Sequence, residues 1–185
     1  MKLKKGMRGK NNGIIHLVND LPDDIIMAEV GCYAGESALF FLKSGKINRF
    51  YAIDPWKDKL EGDVEGTEEF KQRTKYVYDN MEWAEKSFDI RMIPYQEIVI
   101  KLKMTLLEAD AYNRLPILDA IYIDGDHRYE GVLNDILLAK KLVKKGGIIA
   151  GHDYHWESPG VKQAVDEIFY KPYKIYPDSS WRVDI

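Results

Sequence analysis

Residues 28–37 read AEVGCYAGES, from Ala28 to Ser37, and hold an apolar run, one acid and two glycines four positions apart. The preceding residues complete a segment, Ile25–Val30, with the apolar character of a buried strand, broken only by Glu29 near its end. Gly31 and Gly35 carry no Cβ, so the backbone can turn tightly and approach a ligand closely. From Ser37 to Leu42 an apolar helical pattern follows, and its N-terminus would face whatever the turn holds. Strand, glycine turn and helix in this order begin a nucleotide-type cofactor site. The spacing is G-x-x-x-G rather than the G-x-G-x-x-G of a dinucleotide fingerprint, and no third glycine follows. The turn therefore reads better as an acid-bearing grip for the amino-acid end of S-adenosylmethionine (SAM) than as a pyrophosphate cradle. Taken alone, such a glycine pair also serves ordinary tight loops.

Further signals fall downstream in the matching order. Arg49–Ile53 (RFYAI) reads as a second strand, and Asp54 stands at its carboxyl end, 25 residues after Glu29. In doubly wound folds an acid at about this distance binds both ribose hydroxyls. Asp54-Pro55 would also be an ordinary way to end a strand. Further candidate strands are Asp89–Ile93, Asp119–Asp124 and Gly147–Gly151, with helical spacing over Ser37–Lys43, Tyr95–Ala109, Tyr129–Lys144 and Val161–Tyr170. Lys144-Lys145-Gly146-Gly147 reads as a helix stop, with cations at the C-terminal end and then glycine. Tyr173–Tyr176 and Trp181–Asp184 read as a closing hairpin. The alternation predicts an α/β fold: a Rossmann-like, doubly wound, mostly parallel seven-stranded sheet with an antiparallel C-terminal strand and helices on both faces. Residues 1–20 would form a basic arm or helix and residues 21–185 a single domain. Between Trp56 and Phe88 a mobile loop (Lys59–Thr67) and a helix (Glu68–Lys86) are expected, either as a plain crossover or as a lid over an acceptor pocket.

The fourth candidate strand ends in Asp124-Gly125-Asp126-His127, and the fifth in Gly151-His152-Asp153-Tyr154. In an open α/β sheet both ends emerge at the carboxyl edge, where ligands bind. Asp124 and Asp153 are 29 residues apart, one strand–helix–strand repeat, so adjacent strands would bring both carboxylates to one site. Two carboxylates in a shared cleft repel unless a cation or proton lies between them. Oxygen ligands suit Mg²⁺ or Mn²⁺. His127 is the strongest general-base candidate, because an imidazole can be neutral and accept a proton near pH 7. It also reads as a solvated histidine at a helix N-terminus. Asp126 would either orient His127 or cap the helix that begins near Tyr129. Arg128, Tyr154 and Trp156 are candidates for the acceptor pocket, whereas His16 and His155 lack comparable context.

With these residues in view, the chain resembles a known family. Glu29 to Ser37 has the E-x-G-x-Y-x-G-x-S form of the first motif of catechol O-methyltransferase-like enzymes. The segments IDGDHRYEGVLNDI and GGIIAGHDY are similar to those of small bacterial class I SAM-dependent O-methyltransferases of the macrocin O-methyltransferase type. The likeness spans roughly residues 25–170. It implies that Glu29 and Tyr33 sit by the methionine part of SAM, together with Gly31, Gly35 and Ser37. It also implies that Asp54 holds the ribose and that Tyr95 and Gln96, after the third strand, flank the adenine. Tyr95 would serve equally well in ordinary loop packing after Pro94. In such enzymes acids at the Asp124 position and at the fifth-strand end bind a divalent ion. Here His152 stands where many members have Asp, so the ligand set would be Asp124, His152 and Asp153, shifted toward Mn²⁺, or tight metal binding would be lost.

The whole points to methyl transfer from SAM to a hydroxyl of a sugar or natural product. Alternatives are a cephalosporin-hydroxylase-like or non-catalytic SAM-binding protein on the same fold, and on fold alone a nicotinamide dehydrogenase. The 185 residues suit one domain with a sizeable core. A net charge of −3 gives no general attraction to nucleic acid or an anionic membrane. No apolar run is long enough to span a bilayer, and no apolar core follows the N-terminal lysines to make a signal peptide. The single cysteine, Cys32, excludes an intramolecular disulfide and fits the cytoplasm. With little chain ahead of the first strand to cap a pocket, a homodimer is expected.

Overall fold

The structure is a computed structural model that describes residues 12–57, 80–155 and 157–185. Its centre is a seven-stranded sheet in the order β3-β2-β1-β4-β5-β7-β6. The strands are β1 (Ile25–Val30), β2 (Ile47–Ile53), β3 (Val99–Leu102), β4 (Leu118–Ile123), β5 (Val143–Gly151), β6 (Lys174–Ile175) and β7 (Trp181–Asp184). The first five run parallel, and β7 lies antiparallel between β5 and β6. The expected fold class is thus the observed one.

Six helices cover the sheet among the described residues: α1 (Asn12–Asp20), α2 (Glu36–Lys43), α3 (Met81–Met92), α4 (Leu106–Ala111), α5 (Tyr129–Leu142) and α6 (Pro159–Phe169). Strand side chains alternate between faces, and the core divides accordingly. Ile25 and Met27 of β1 pack with Leu17 of α1, Phe41 of α2 and Phe88 of α3. Ala28 and Val30 pack with Leu106 of α4, Ile136 of α5 and Val165 of α6. Each helix buries residues three and four apart, as Met81, Ala84, Phe88 and Met92 do on α3.

The third strand is not the predicted one. Residues 89–92 of the candidate strand Asp89–Ile93 finish α3, and Val99–Leu102, inside the candidate helix Tyr95–Ala109, form β3 beside β2. A reciprocal cap starts α4 at Thr105: the Thr105 hydroxyl accepts from the Glu108 N–H and the Glu108 carboxylate accepts from the Thr105 N–H. At the predicted helix stop, α5 ends at Leu142 and residues 143–146 already belong to β5. Residues 1–11 of the basic arm and residues 58–79 of the expected loop, helix or lid lie outside the described residues, although residues 81–86 are helical in α3.

β1 and β4 are neighbours while their following helices pass to opposite faces, which opens a crevice at their carboxyl ends. Backbone bonds fix that edge: the Gly31 N–H donates to the Ile53 carbonyl at 2.9 Å and the Asp124 N–H to the Val30 carbonyl at 2.8 Å.

Candidate active site

The glycine turn is held from two sides. Gly31 has φ +87°, and a Cβ there would lie 2.2 Å from the carbonyl oxygen of Asp124, so only glycine lets the β1 and β4 loops meet. The Asp54 carboxylate ties the same turn to the end of β2. Its Oδ2 accepts from the Tyr33 N–H at 2.9 Å and its Oδ1 from the Trp56 N–H at 2.6 Å. The Trp56 indole N–H in turn donates to the Tyr33 carbonyl at 2.8 Å.

Glu29 shares the sheet face of Met27 and is completely buried, yet neither carboxylate oxygen has a hydrogen-bond partner. Burial pushes its pKa up to about 8, and the nearby Asp124 and Asp54 carboxylates add to the rise against the Ser37 hydroxyl. An orphaned buried acid is costly to keep. Cys32 beside it is an ordinary buried thiol, raised by burial and by Glu29.

The ends of β4 and β5 carry the second constellation. His127 Nε2 lies 2.8 Å from Asp153 Oδ2 and 3.8 Å from Asp124 Oδ1. His152 Nδ1 lies 3.1 Å from Asp153 Oδ1 and 3.9 Å from Asp124 Oδ1. Asp124, His152 and Asp153 each offer one ligand atom, all within 4.8 Å of one another. Burial works against charge on His127, but Asp124 and Asp153 outweigh it and push the imidazole up to about 9. His152 is pushed up to about 9 in the same way, chiefly by Asp153 and Asp124 against burial. Burial raises Asp124, whereas His127 and His152 overcome burial at Asp153 and hold it well below the usual carboxylate range. The floor is steadied from the far edge of the sheet: the Trp181 indole N–H donates to the His152 carbonyl at 3.2 Å, and Trp181 pairs with Gly151 across β7 and β5.

Both constellations open into one cavity of about 780 Å³. Gly31, Tyr33, Ser37, Asp54, Asp124, His127, His152 and Asp153 all line it.

A sequence family described as "Methyltransferase domain" matches residues 28–154, from the end of β1 to the loop that follows β5. The chain belongs to this methyltransferase family. An uncharacterised protein, R132, of Acanthamoeba polyphaga mimivirus is 29% identical over 202 residues, covering 98% of this chain and 84% of the viral one. Among solved structures, the O-methyltransferase NovP superposes with a TM-score of 0.66 at 17% identity, over 95% of this chain and 77% of NovP. CalS11, a TDP-rhamnose 3′-O-methyltransferase of calicheamicin biosynthesis, gives 0.57 at 17% identity, over 92% of this chain and 75% of its own. At these identities the likeness is one of fold, and it is the SAM-dependent methyltransferase fold.

Most predicted positions of the methyltransferase come together at this edge, although Glu29 and Gly35 lie beside the cavity without lining it, and Tyr95 and Gln96 lie elsewhere. They precede β3 instead of following it, because the third strand lies at Val99–Leu102, and neither lines the cavity. The positions that follow β3 and do line it are Met104, Thr105, Leu106 and Leu107. The Thr105-x-x-Glu108 capping pattern in the sequence was the signal that could have placed them. Gly35 is the left-handed N-cap of α2, with φ +81°. Asp126 accepts from the Arg128 N–H at 3.0 Å and pairs with its guanidinium at 2.7 Å, thereby shaping the start of α5. Arg128 lines the cavity, whereas the Tyr154 hydroxyl donates to Asp166 at 2.6 Å and Trp156 lies outside the described residues. His155 has more context than its sequence neighbours suggest, with Nε2 3.2 Å from Asp153 Oδ1.

Proposed function

We propose that this methyltransferase moves the methyl group of SAM to a hydroxyl oxygen of a small-molecule acceptor, a sugar or natural product, with divalent-cation assistance and with His127 as general base. The observation behind this proposal is the cluster of Asp124, His127, His152 and Asp153 in the cavity that also contains the glycine turn. When bound, SAM supplies a methyl group made electrophilic by its sulfonium. The chain's own residues supply alignment and exclusion of water.

Glu29 would receive the ammonium of the methionine part, directly or through a water, which gives its orphaned carboxylate a partner. Gly31 and Gly35 let the backbone lie close to that part, with Tyr33 and Ser37 beside it. Asp54, whose oxygens accept the Tyr33 and Trp56 N–H groups and so fix its carboxylate beside the glycine turn, would hold the ribose hydroxyls. Met104–Leu107, which follow β3 and line the same cavity, would flank the adenine.

Asp124, His152 and Asp153 would hold the cation, and two carboxylates with one imidazole suit Mn²⁺ or Mg²⁺. Bound there, such an ion would lower the pKa of an acceptor hydroxyl. His127 would then take the acceptor's proton at Nε2. That role requires a neutral imidazole, so the two carboxylates that now favour its charge must be engaged elsewhere, as they would be when ligating a cation. The same proposal sets the enzyme in the reducing cytoplasm as a homodimer, without a nucleic-acid partner. The buried free thiol of Cys32 supports the reducing compartment, and the modest net charge supports the lack of a nucleic-acid partner.

The test is release of S-adenosylhomocysteine over a panel of hydroxylated sugars and phenols, with Mg²⁺, Mn²⁺ or chelator. Turnover that needs both a hydroxyl acceptor and the metal supports the proposal. Turnover of amines alone, or turnover unaffected by chelator, overturns the oxygen or metal part respectively.

A further inference from the structure

Three imidazoles surround the carboxylate of Asp153, and one of them has no part in the proposed reaction. His127 Nε2 meets Oδ2 at 2.8 Å, while His152 Nδ1 and His155 Nε2 meet Oδ1 at 3.1 and 3.2 Å. His155 is placed by the loop after β5, which folds back on itself. Its N–H donates to the Asp153 carbonyl at 2.8 Å, and its carbonyl accepts from the Ser158 N–H at 3.2 Å. Between them, the Tyr154 N–H reaches the Ser179 carbonyl of the β6–β7 turn at 3.0 Å. Asp153 itself sits at φ +60°, a left-handed conformation uncommon outside glycine, and the turn holds it there. The tautomer of His155 is fixed as well. Its Nδ1 accepts the Glu157 N–H at 3.1 Å, so its own proton resides on Nε2, the nitrogen that faces Asp153.

We propose that His155 is a positioning residue for the cation seat: its Nε2–H keeps Asp153 aimed once His127 and His152 no longer hold that carboxylate. The inference rests on the cation-assisted reaction proposed above. An imidazole that ligates an ion through Nδ1 has a lone pair there and no N–H to donate, which takes His152 off Oδ1. A His127 that receives a proton at Nε2 must begin without one there, which ends its donation to Oδ2. His155 is under neither demand. Among the described residues, Asp124, His152 and Asp153 bring their ligand atoms within 4.8 Å of one another, and His155 is not in that group. It therefore acts through Asp153 and not on the ion. A carboxylate fixed at Oδ1 by one N–H keeps its orientation and leaves its other lone pairs for a cation. Outer partners of this kind orient ligands, and losing one costs about 10–100-fold in metal affinity.

The test is calorimetric titration of Mn²⁺ into wild type, His155→Phe and His155→Gln, with S-adenosylhomocysteine affinity and thermal melts measured on the same preparations. Phenylalanine keeps a ring but no donor, whereas glutamine restores an N–H near the position of Nε2. His155→Phe should lose about tenfold or more in Mn²⁺ affinity, while S-adenosylhomocysteine affinity stays within about threefold. His155→Gln should recover Mn²⁺ affinity to within about threefold of wild type. The side-chain ¹⁵N–¹H spectrum of metal-free wild type at slightly alkaline pH gives a reading that needs no variant. The proton of His155 should be on Nε2 alone, and a proton on Nδ1 overturns the inference. A folded His155→Phe with wild-type Mn²⁺ affinity, or a His155→Gln as weak as His155→Phe, overturns it too and leaves cation binding intact. If wild type binds no Mn²⁺, the cation reading fails and takes this inference with it.

Discussion

His127 Nε2 lies 2.8 Å from Asp153 Oδ2, so the loop after β4 is tied to the loop after β5 by one imidazole–carboxylate contact. The contact joins the ends of two neighbouring strands, and under the proposed function its charge state would decide whether His127 can act as a base. A protonated His127 holds Asp153 but accepts nothing. A neutral one is available as a base.

Metal-stripped protein should therefore lose stability as pH rises. His127 and His152 are pushed up to about 9 from an ordinary value of 6.5. Their contribution is fully present below about pH 6.5 and is lost as pH climbs toward 9. Glu29 adds a slope of the same sign between its ordinary 4.5 and about 8. Urea midpoints at pH 6, 7.5 and 9 should fall in wild type with chelator and fall less in His127→Gln, the difference isolating the imidazole. Equal slopes in the two proteins would rule out its protonation in the folded state.

Glu29→Gln should stabilise the protein without ligand while weakening its hold on the cofactor. A neutral amide removes the buried charge, and we expect a gain of about 1–3 kcal/mol at pH 8 that shrinks toward pH 5. SAM affinity should fall by about tenfold or more, as for a lost charge-assisted contact. Calorimetry and denaturant titration of one preparation read both effects. A variant that is less stable and binds normally would show that Glu29 is purely structural.

Asp124→Ala should abolish metal-dependent turnover while SAM binding stays within about threefold. Mn²⁺ affinity should drop by about tenfold or more, since one of three clustered donors is gone. Parallel titrations with Mn²⁺ and with SAM separate these effects. Equal loss of both would indicate a misfolded edge.

Gly31→Ala should cost about 2–4 kcal/mol, because the residue has φ +87° and its Cβ would meet the Asp124 carbonyl at 2.2 Å. The clash separates the β1 and β4 loops, so SAM affinity should fall with stability. Thermal melts with and without SAM provide the measurement, and a variant with wild-type Tm would contradict the close approach.

Much of this was legible in the chain. β1, β2, β4 and β5 are apolar runs ending in glycine or acid, and each such ending marks a turn at the carboxyl edge. The Asp124–Asp153 spacing already implied adjacent strands. β3 was harder, because it spans only four residues and its neighbours are apolar too. In isolation, Asp89–Ile93 has too few residues to separate a strand from the last turn of a helix. Only the spacing of Met81, Ala84, Phe88 and Met92 shows that α3 continues through it. His155 was not legible at all: one histidine in a loop looks solvated until the fold turns it back onto Asp153.

The bond from Trp181 to the His152 carbonyl has a consequence in time. The cofactor turn draws on residues 29–54, whereas the strand that steadies His152 begins at residue 181. A chain leaving the ribosome would expose the glycine turn and its neighbouring strands well before β7 emerges. The grip on the methyl donor would thus be ready first. The seat that aims the chemistry would follow only when the antiparallel strand slots in between β5 and β6.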